Sequence, residues 1–335
     1  MPTIAPYDFD CYVELAGFVD DEPTFALVDG IIHFPTAENR TVEAHDGLLS
    51  ATFSRTGSKI ISGGEDGRVV TCGIDGEVVE IARKERAWID VVASGPNDAV
   101  AFASGRTGWV QTADGALKEF NHERAVEGLD FAPKGMRLAC ARYNGATLHW
   151  VANQAPAMGL DWDGAHTGIS FSPDGKFLVT TMAENALHGW KLGSTKPGAE
   201  KHMRMTGYPA KPKSLSWSNK GKWLASSGAQ AAILWPFSSK DGPMGKAPKE
   251  LATRGDSLVV QVACHPKADV VAVGYADGMI LLDKIDDGAE TLLRRPGKSA
   301  ISSLNWDNDG NRLAFGSEEG EAGVISVTDE LDEKP

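Results

Sequence analysis

The chain has 335 residues, with 33 Lys and Arg against 46 Asp and Glu, a formal net charge of −13. That balance excludes a general affinity for nucleic acid or anionic membranes, although a local basic patch can survive it. Gly contributes 37 residues and hydrophobic types 42%, which describes a soluble, turn-rich globular chain with ample core material rather than a disordered one.

Residues 1–10 read MPTIAPYDFD. They show no basic start, apolar stretch or small-residue cleavage site, so no secretory signal is expected. No run approaches the roughly 18 apolar residues of a membrane span. Ile4, Tyr7 and Phe9 alternate loosely, as in a strand. The four cysteines, Cys11, Cys72, Cys140 and Cys264, form no C-x-x-C pair. They read as reduced, mostly buried thiols of a cytoplasmic protein rather than a disulfide or zinc framework.

Next along the chain comes a repeat. An apolar run ends in a tight turn at Phe53-Ser-Arg-Thr-Gly57, Phe131-Ala-Pro-Lys-Gly135, Phe171-Ser-Pro-Asp-Gly175, Trp217-Ser-Asn-Lys-Gly221 and Trp306-Asp-Asn-Asp-Gly310, with a weaker copy at Cys264-His-Pro-Lys-Ala268. Pro presets φ, Asp or Asn bonds its own backbone, and Gly accepts positive φ. A second apolar run follows each turn, giving strand–turn–strand units. A second turn landmark falls at Asp29, Asp66, Thr107, Asn144, Glu184, Ala229 and Asp277, with an eighth copy near Glu319. The period is about 40 residues, room for four short strands, as in a propeller blade.

On these motifs the sequence resembles WD40-repeat β-propellers over nearly its whole length. Trp150, Trp190 and Trp235 stand six residues after a turn landmark, where that family places its Trp; Pro35, Cys72, Ala113 and Asp283 stand there in other units. The resemblance implies a structural tetrad of His, Ser or Thr, Trp and Asp in each repeat. No unit keeps all four. His45, Ser62 and Asp66 match in unit two, His122, Asn144 and Trp150 in unit four, and Thr180 and Trp190 in unit five, where no His has the matching offset. Apolar packing between sheets is therefore expected to dominate, with hydrogen-bond networks secondary.

Inner strands are expected at residues 13–18, 48–54, 88–94, 126–132, 167–172, 212–218, 259–265 and 300–307. The expectation is an all-β propeller of four-stranded antiparallel blades, eight favoured and seven the alternative, forming one domain over residues 1–335. Unit eight ends with its third strand, so residues 3–11 are expected to supply its fourth and close the fold. Residues 329–335 read as a frayed acidic tail.

For chemistry, G-x-S-x-G, P-loop and H-E-x-x-H patterns are missing. Gly297-Lys298-Ser299 copies a P-loop end, but Leu292 stands where its first Gly is needed. His149 and His188, counted from Trp150 and Trp190, point to opposite sheet faces, so no shared metal is expected, and no catalytic residue or cofactor. One rim offers a local reversal of sign: Arg83, Lys84, Arg86, Trp88, Arg106, Arg142 and Tyr143. Arg, Trp and Tyr are enriched at interface hot spots, so this cluster is a candidate docking site for an acidic protein segment. In the alternative, Trp88 packs between blades and the arginines pair with Glu85 and Glu123. The resemblance implies a non-catalytic interaction scaffold. The alternative is an enzyme or metal-linked protein with its site at the channel mouth.

Overall fold

The computed structural model describes residues 4–193 and 201–327. Among these the only helical element is one 3-10 turn; all else regular is strand. Strand β1 (Ile4–Asp8) comes first. The first sheet is β2 (Val13–Val19), β3 (Glu22–Leu27), β4 (Ile31–Phe34) and β5 (Arg40–Glu43). The second is β6 (Leu48–Phe53), β7 (Ile60–Gly64), β8 (Arg68–Cys72) and β9 (Val78–Arg83). The third is β10 (Val91–Ser94), β11 (Val100–Ser104), β12 (Thr107–Gln111) and β13 (Leu117–Asn121). A six-stranded sheet follows: β14 (Val126–Phe131), β15 (Arg137–Trp150), β16 (Met158–Phe171), β17 (Phe177–Met182), β18 (Ala186–Lys191) and β19 (Lys201–Met205). Next are β20 (Leu215–Trp217), β21 (Trp223–Ser226), β22 (Ala232–Pro236) and β23 (Lys249–Leu251), then β24 (Val259–Cys264), β25 (Val270–Tyr275), β26 (Ile280–Lys284) and β27 (Glu290–Arg294). The last sheet is β28 (Ile301–Trp306), β29 (Arg312–Ser317) and β30 (Glu321–Ser326), with β1 as its fourth strand. All pairings are antiparallel, and β1 runs in register from Ile4 opposite Ile325 to Asp8 opposite Glu321.

The repeat motifs explain these elements. In Phe171–Gly175 the Ser172 carbonyl accepts the Gly175 N–H at 2.8 Å, with Gly175 at φ 71°. The Ser172 hydroxyl donates to Asp174 at 2.7 Å and accepts the Phe177 N–H at 2.9 Å. The same closing bond joins Ser54 to Gly57, Ser218 to Gly221 and Asp307 to Gly310. Second strands such as β7, β17 and β25 are buried along their whole length, so both faces are covered. Fourth strands such as β9 and β13 are partly exposed and carry charged residues, Glu80 and Arg83 in one and Lys118 and Glu119 in the other, which blunts an edge open to pairing.

The repeat count favours eight blades; among the described residues the sheets number seven, the alternative count. The physical reason lies in the six-stranded sheet. Val151 N–H donates to Met136 O at 2.8 Å, so β15 doubles back at Tyr143–Asn144. Its second half pairs with the first half of β16, Leu148 opposite Met158. The second half of β16 then pairs with β17, Phe171 opposite Leu178. Two repeat units thus share one sheet, because β16 runs from the outer strand of one into the inner strand of the next without a break. The third inner strand also starts later than its apolar pattern suggests, at Val91 rather than 88, which leaves Trp88 in a loop.

The contacts divide the chain into two compact units. One is Met1–Val28, Ile32–Thr41 and Tyr208–Pro335; the other is Asp29–Ile31 and Val42–Gly207. In the first, apolar clusters join β20–β23 to β24–β27, the latter to β28–β30, and β28–β30 with β1 to β2–β3. In the second, clusters join β6–β9 to β10–β13, the latter to β14–β15, and β15–β16 to β17–β18. Within each unit, neighbouring sheets thus bury their faces against one another. Among the described residues no helix is long and apolar enough to cross a membrane. The expected tail at 329–335 lies outside the described residues, as does Thr3 at the start of the expected closing strand.

Candidate functional site

The seven rim candidates all lie in the second unit, and the backbone stitches their loops together. Loop 84–90 is tied to the β11–β12 turn where Asp90 accepts the Gly105 N–H at 3.2 Å. That turn is tied to the next loop, where Gly105 O accepts Val126 N–H at 2.8 Å and Arg106 O accepts His122 N–H at 2.9 Å. Beyond it a cavity of about 450 Å³ is lined by Arg124, Glu127, Tyr143, His166 and Thr167.

The side chains divide into two groups. Arg83 donates to Glu80 at 2.9 Å, and Arg68 binds the same carboxylate at 3.0 Å. Lys84 places its ammonium 4.4 Å from the Trp109 ring centroid. Arg142 is half-buried and saturated: it binds Asp161 at 2.8 Å, the Thr147 hydroxyl at 2.9 Å and the carbonyls of Tyr143 and Asn144. Arg142 is thereby fixed in the fold, Lys84 is half-buried over a ring, and Arg83, though exposed, is paired. Arg86 and Arg106 are exposed and have no ion-pair partner among the described residues, and Trp88 is 60% and Tyr143 49% exposed. Trp88 is therefore not packed between sheets, and the arginine pairs that do form use Glu80 and Asp161 instead of Glu85 and Glu123. Arg124 is a further exposed rim arginine; its loop carries no aromatic residue, so the search for Arg beside aromatics misses it.

The polar networks of the sheets are better kept than the sequence offsets suggest. His45 Nε2 meets the Ser62 hydroxyl at 2.9 Å and its Nδ1 meets Asp66 at 3.1 Å. His166 Nδ1 meets the Thr180 hydroxyl at 2.7 Å, with the Trp190 ring 5.6 Å away. This His stands only five residues before Phe171, so its offset hides it. Tyr208 joins Ser226 at 2.6 Å and accepts the Trp235 indole N–H at 2.7 Å.

Unit four differs from its sequence offsets in the register of its third strand. The turn between β17 and β18 has three residues, with Met182 opposite Ala186. In β15 the Val151–Met136 bond sets Leu138 opposite His149, as Leu178 lies opposite Trp190. The turn is one residue shorter, and a one-residue slip exchanges the two faces of a strand. His149, not Trp150, thus takes the place that Trp190 holds in the next unit. Trp150 turns instead to an apolar cluster with Leu148 and Trp162. His149 and His188 therefore share a face in their respective strands, contrary to the count from the Trp residues. His188 meets His202 at 3.0 Å and stacks on Trp162.

The inner strands of the first unit enclose a polar cavity of about 550 Å³, lined among others by Glu14, Ser214, Gln261, Ser302 and Asn305. The sequence did not reveal this convergence. Most of these groups bind the neighbouring sheet: the Ser302 hydroxyl donates to Val13 O at 2.6 Å, Gln261 to Ser302 O at 2.7 Å and Asn305 to Ala16 O at 2.8 Å. Each contributes about 1 kcal/mol to holding strands together and is not left over for a ligand. Burial raises the Glu14 carboxyl to about 7.

The family model "WD domain, G-beta repeat" matches residues 37–78. A WD repeat-containing protein 1-B from Xenopus laevis is 28% identical over 224 residues, 64% of this chain and 32% of that protein. The transcriptional corepressor LEUNIG_HOMOLOG of Arabidopsis thaliana is 24% identical over 280 residues, 78% of this chain and 34% of its own. The chain thus spans about a third of the length of these curated relatives. Among solved structures, the Dos1 propeller superposes with a TM-score of 0.77 at 14% identity, covering 97% of this chain and 94% of that one. The computationally designed Ika8 protein gives 0.72 at 20% identity, covering 95% and 97%.

Proposed function

We propose that this chain, which is a WD40-repeat β-propeller protein, works as a non-catalytic platform that docks an acidic segment of a protein partner. The docking face is the rim of loops 84–90, 105–106, 122–125 and 143–144, with Arg86, Trp88, Arg106 and Tyr143 as its contacts and Arg124 beside them. One observation carries the reading: in a chain of net charge −13, unpaired arginines and two exposed aromatic rings follow one another along one stitched set of loops. Arg and aromatic side chains supply charge, planar hydrogen bonding and large apolar area together. Arg83, Lys84 and Arg142 flank the face, each engaged in a contact of its own. One relative is named a transcriptional corepressor, and an assembly role agrees with a docking platform. We place residues 1–335 in one propeller domain in a reducing, cytoplasmic compartment, a setting that suits its four free thiols.

Charge reversal tests the reading. The double variant Arg86→Glu/Arg106→Glu is expected to recover partners from extract of the source organism at least about tenfold less well than the parent, equivalent to about 1.4 kcal/mol. The loss should mimic that produced in the parent by raising salt, since exposed charges are screened. Unchanged partner recovery by the variant would remove this rim from consideration.

A further inference from the structure

We propose that His122, Cys140 and His149 together bind one soft monovalent d10 ion, copper(I). The ligand atoms of these three residues all lie within 4.8 Å of one another. His122 follows β13, Cys140 stands on the first half of β15 and His149 on the second. The strand register brings Cys140 and His149 to the places that Thr180 and Trp190 hold in the next unit, where an imidazole from a different position, His166, closes a 2.7 Å bond to the Thr180 hydroxyl. In this unit a thiol replaces the hydroxyl and a second imidazole replaces the indole.

The second observation is what these groups lack. Nε2 of His122 and Nε2 of His149 are both buried without a hydrogen-bond partner among the described residues. His149 is 92% out of solvent by its 8% exposure, and Cys140 is fully buried. Burying an unsatisfied polar group costs about 1–3 kcal/mol, and native chains rarely leave two side by side without use. Nitrogen lone pairs of neutral imidazoles and a thiolate are the donors that soft metals take. Metal–ligand bonds of about 2.0–2.3 Å ask the three side chains to draw together by under about 1 Å.

Charge and dryness select the ion. A thiolate with a monovalent ion is neutral, whereas a divalent ion leaves a net positive charge in a buried site. The groups facing the site are cationic: Lys118 and Arg142 raise the positive potential at His149 and His122. The Phe120 ring lies 4.3 Å from His149, centroid to centroid and tilted by 34°, and Cys140 belongs to the apolar cluster of Leu129, Phe131 and Val151. Zinc with three protein ligands would keep a water as its fourth; this lining offers that water no partner. On binding, the Cys140 S–H bond breaks, its proton goes to solvent and a sulfur–copper bond forms. No electron moves, because the ion arrives as copper(I).

The test uses the reduced full chain under anaerobic conditions, titrated with copper(I) against a chromophoric chelator. One equivalent per chain is expected to bind tightly, with the thermal midpoint raised, since an ion that binds only the folded state stabilises it. Cys140→Ser should weaken that binding at least about a hundredfold. This variant copies the His45–Ser62 pair of the second sheet, so it should fold, and circular dichroism with an unchanged metal-free melting curve checks that. His149→Phe is the second variant and should lose the same equivalent. Equal binding by the parent and Cys140→Ser would assign the copper to the other thiols and overturn the site. Stoichiometric zinc binding at least as strong as copper(I) would overturn the choice of ion.

Discussion

Removal of residues 4–11 is expected to cost the first unit more than about 4 kcal/mol and to shift its urea unfolding midpoint sharply down. The strand β1 does two things there. It pairs along β30 from Ile4 to Asp8, and Phe9 N–H continues the ladder to Gly320 O at 3.1 Å. It also delivers two rings to the core: Tyr7 and Phe9 lie 5.2 and 5.3 Å from Phe25, and Phe9 lies 4.6 Å from His33. Phe25 is fully buried beneath them. Truncating one fully buried aromatic costs about 3–5 kcal/mol; Tyr7 and Phe9 are each half-buried, so the two rings together reach that range. The Lys298–Asp8 ion pair, 3.2 Å long with both side chains more than half exposed, adds little. Loss of the rings outweighs loss of the charge, so Phe9→Ala should account for much of the effect and Asp8→Asn for almost none. The truncated chain should also associate with itself, because β30 becomes an apolar sheet edge. An unchanged midpoint would mean that β1 is an ornament on a sheet of three strands.

Why was so much of this visible beforehand, and where did visibility stop? Turn chemistry is local. Ser, Asp and Gly in Phe171–Gly175 need only their own backbone to close the turn, so the strands on either side could be placed to within a few residues. The strand at Ile4–Asp8 was legible because the last unit lacked a fourth strand and the alternation of Ile4, Tyr7 and Phe9 offered one. Register is different. Whether Trp150 or His149 faces the neighbouring sheet depends on one residue in the turn at Tyr143–Asn144, and both choices satisfy the same apolar pattern. The grouping of His122, Cys140 and His149 was lost in that slip. The sheet count went astray for a related reason: no composition signal marks whether β16 breaks between one unit and the next. Among the rim residues, charge and aromatic content were readable, but Asp161, the partner of Arg142, lies on an adjacent strand, and cross-strand pairing cannot be counted along the chain.

Replacing Asp283 by Asn is expected to stabilise the protein by roughly 2–4 kcal/mol at pH 8 and by almost nothing near pH 4. Asp283 on β26 is wholly buried, and neither carboxylate oxygen has a hydrogen-bond partner among the described residues. Its β-strand position, opposite Val271, corresponds to that of Trp190 opposite Leu178. Burial, with the nearby Glu290 charge, raises its carboxyl to about 7. The unfolded chain ionises the same group near 3.9. Between about pH 4 and 7 the folded state therefore holds a proton that the unfolded state has released. Stability contributed by the protonated form is complete below the unfolded value and is lost as pH rises through about 7. Asn keeps the shape and cannot ionise, so the gap between variant and parent should open across that window and then level off. Glu14, raised to about 7, pulls in the same direction, whereas His149, lowered to about 4, and His188, lowered to about 3, lose stability as pH falls below about 6.5. These opposing contributions blur the pH profile of either protein alone. They cancel in the difference between the two, which isolates Asp283. Equilibrium unfolding of both at pH 5 and pH 8 reads that difference, and a gap that stays constant between the two would mean the buried carboxyl finds a partner that holds its charge.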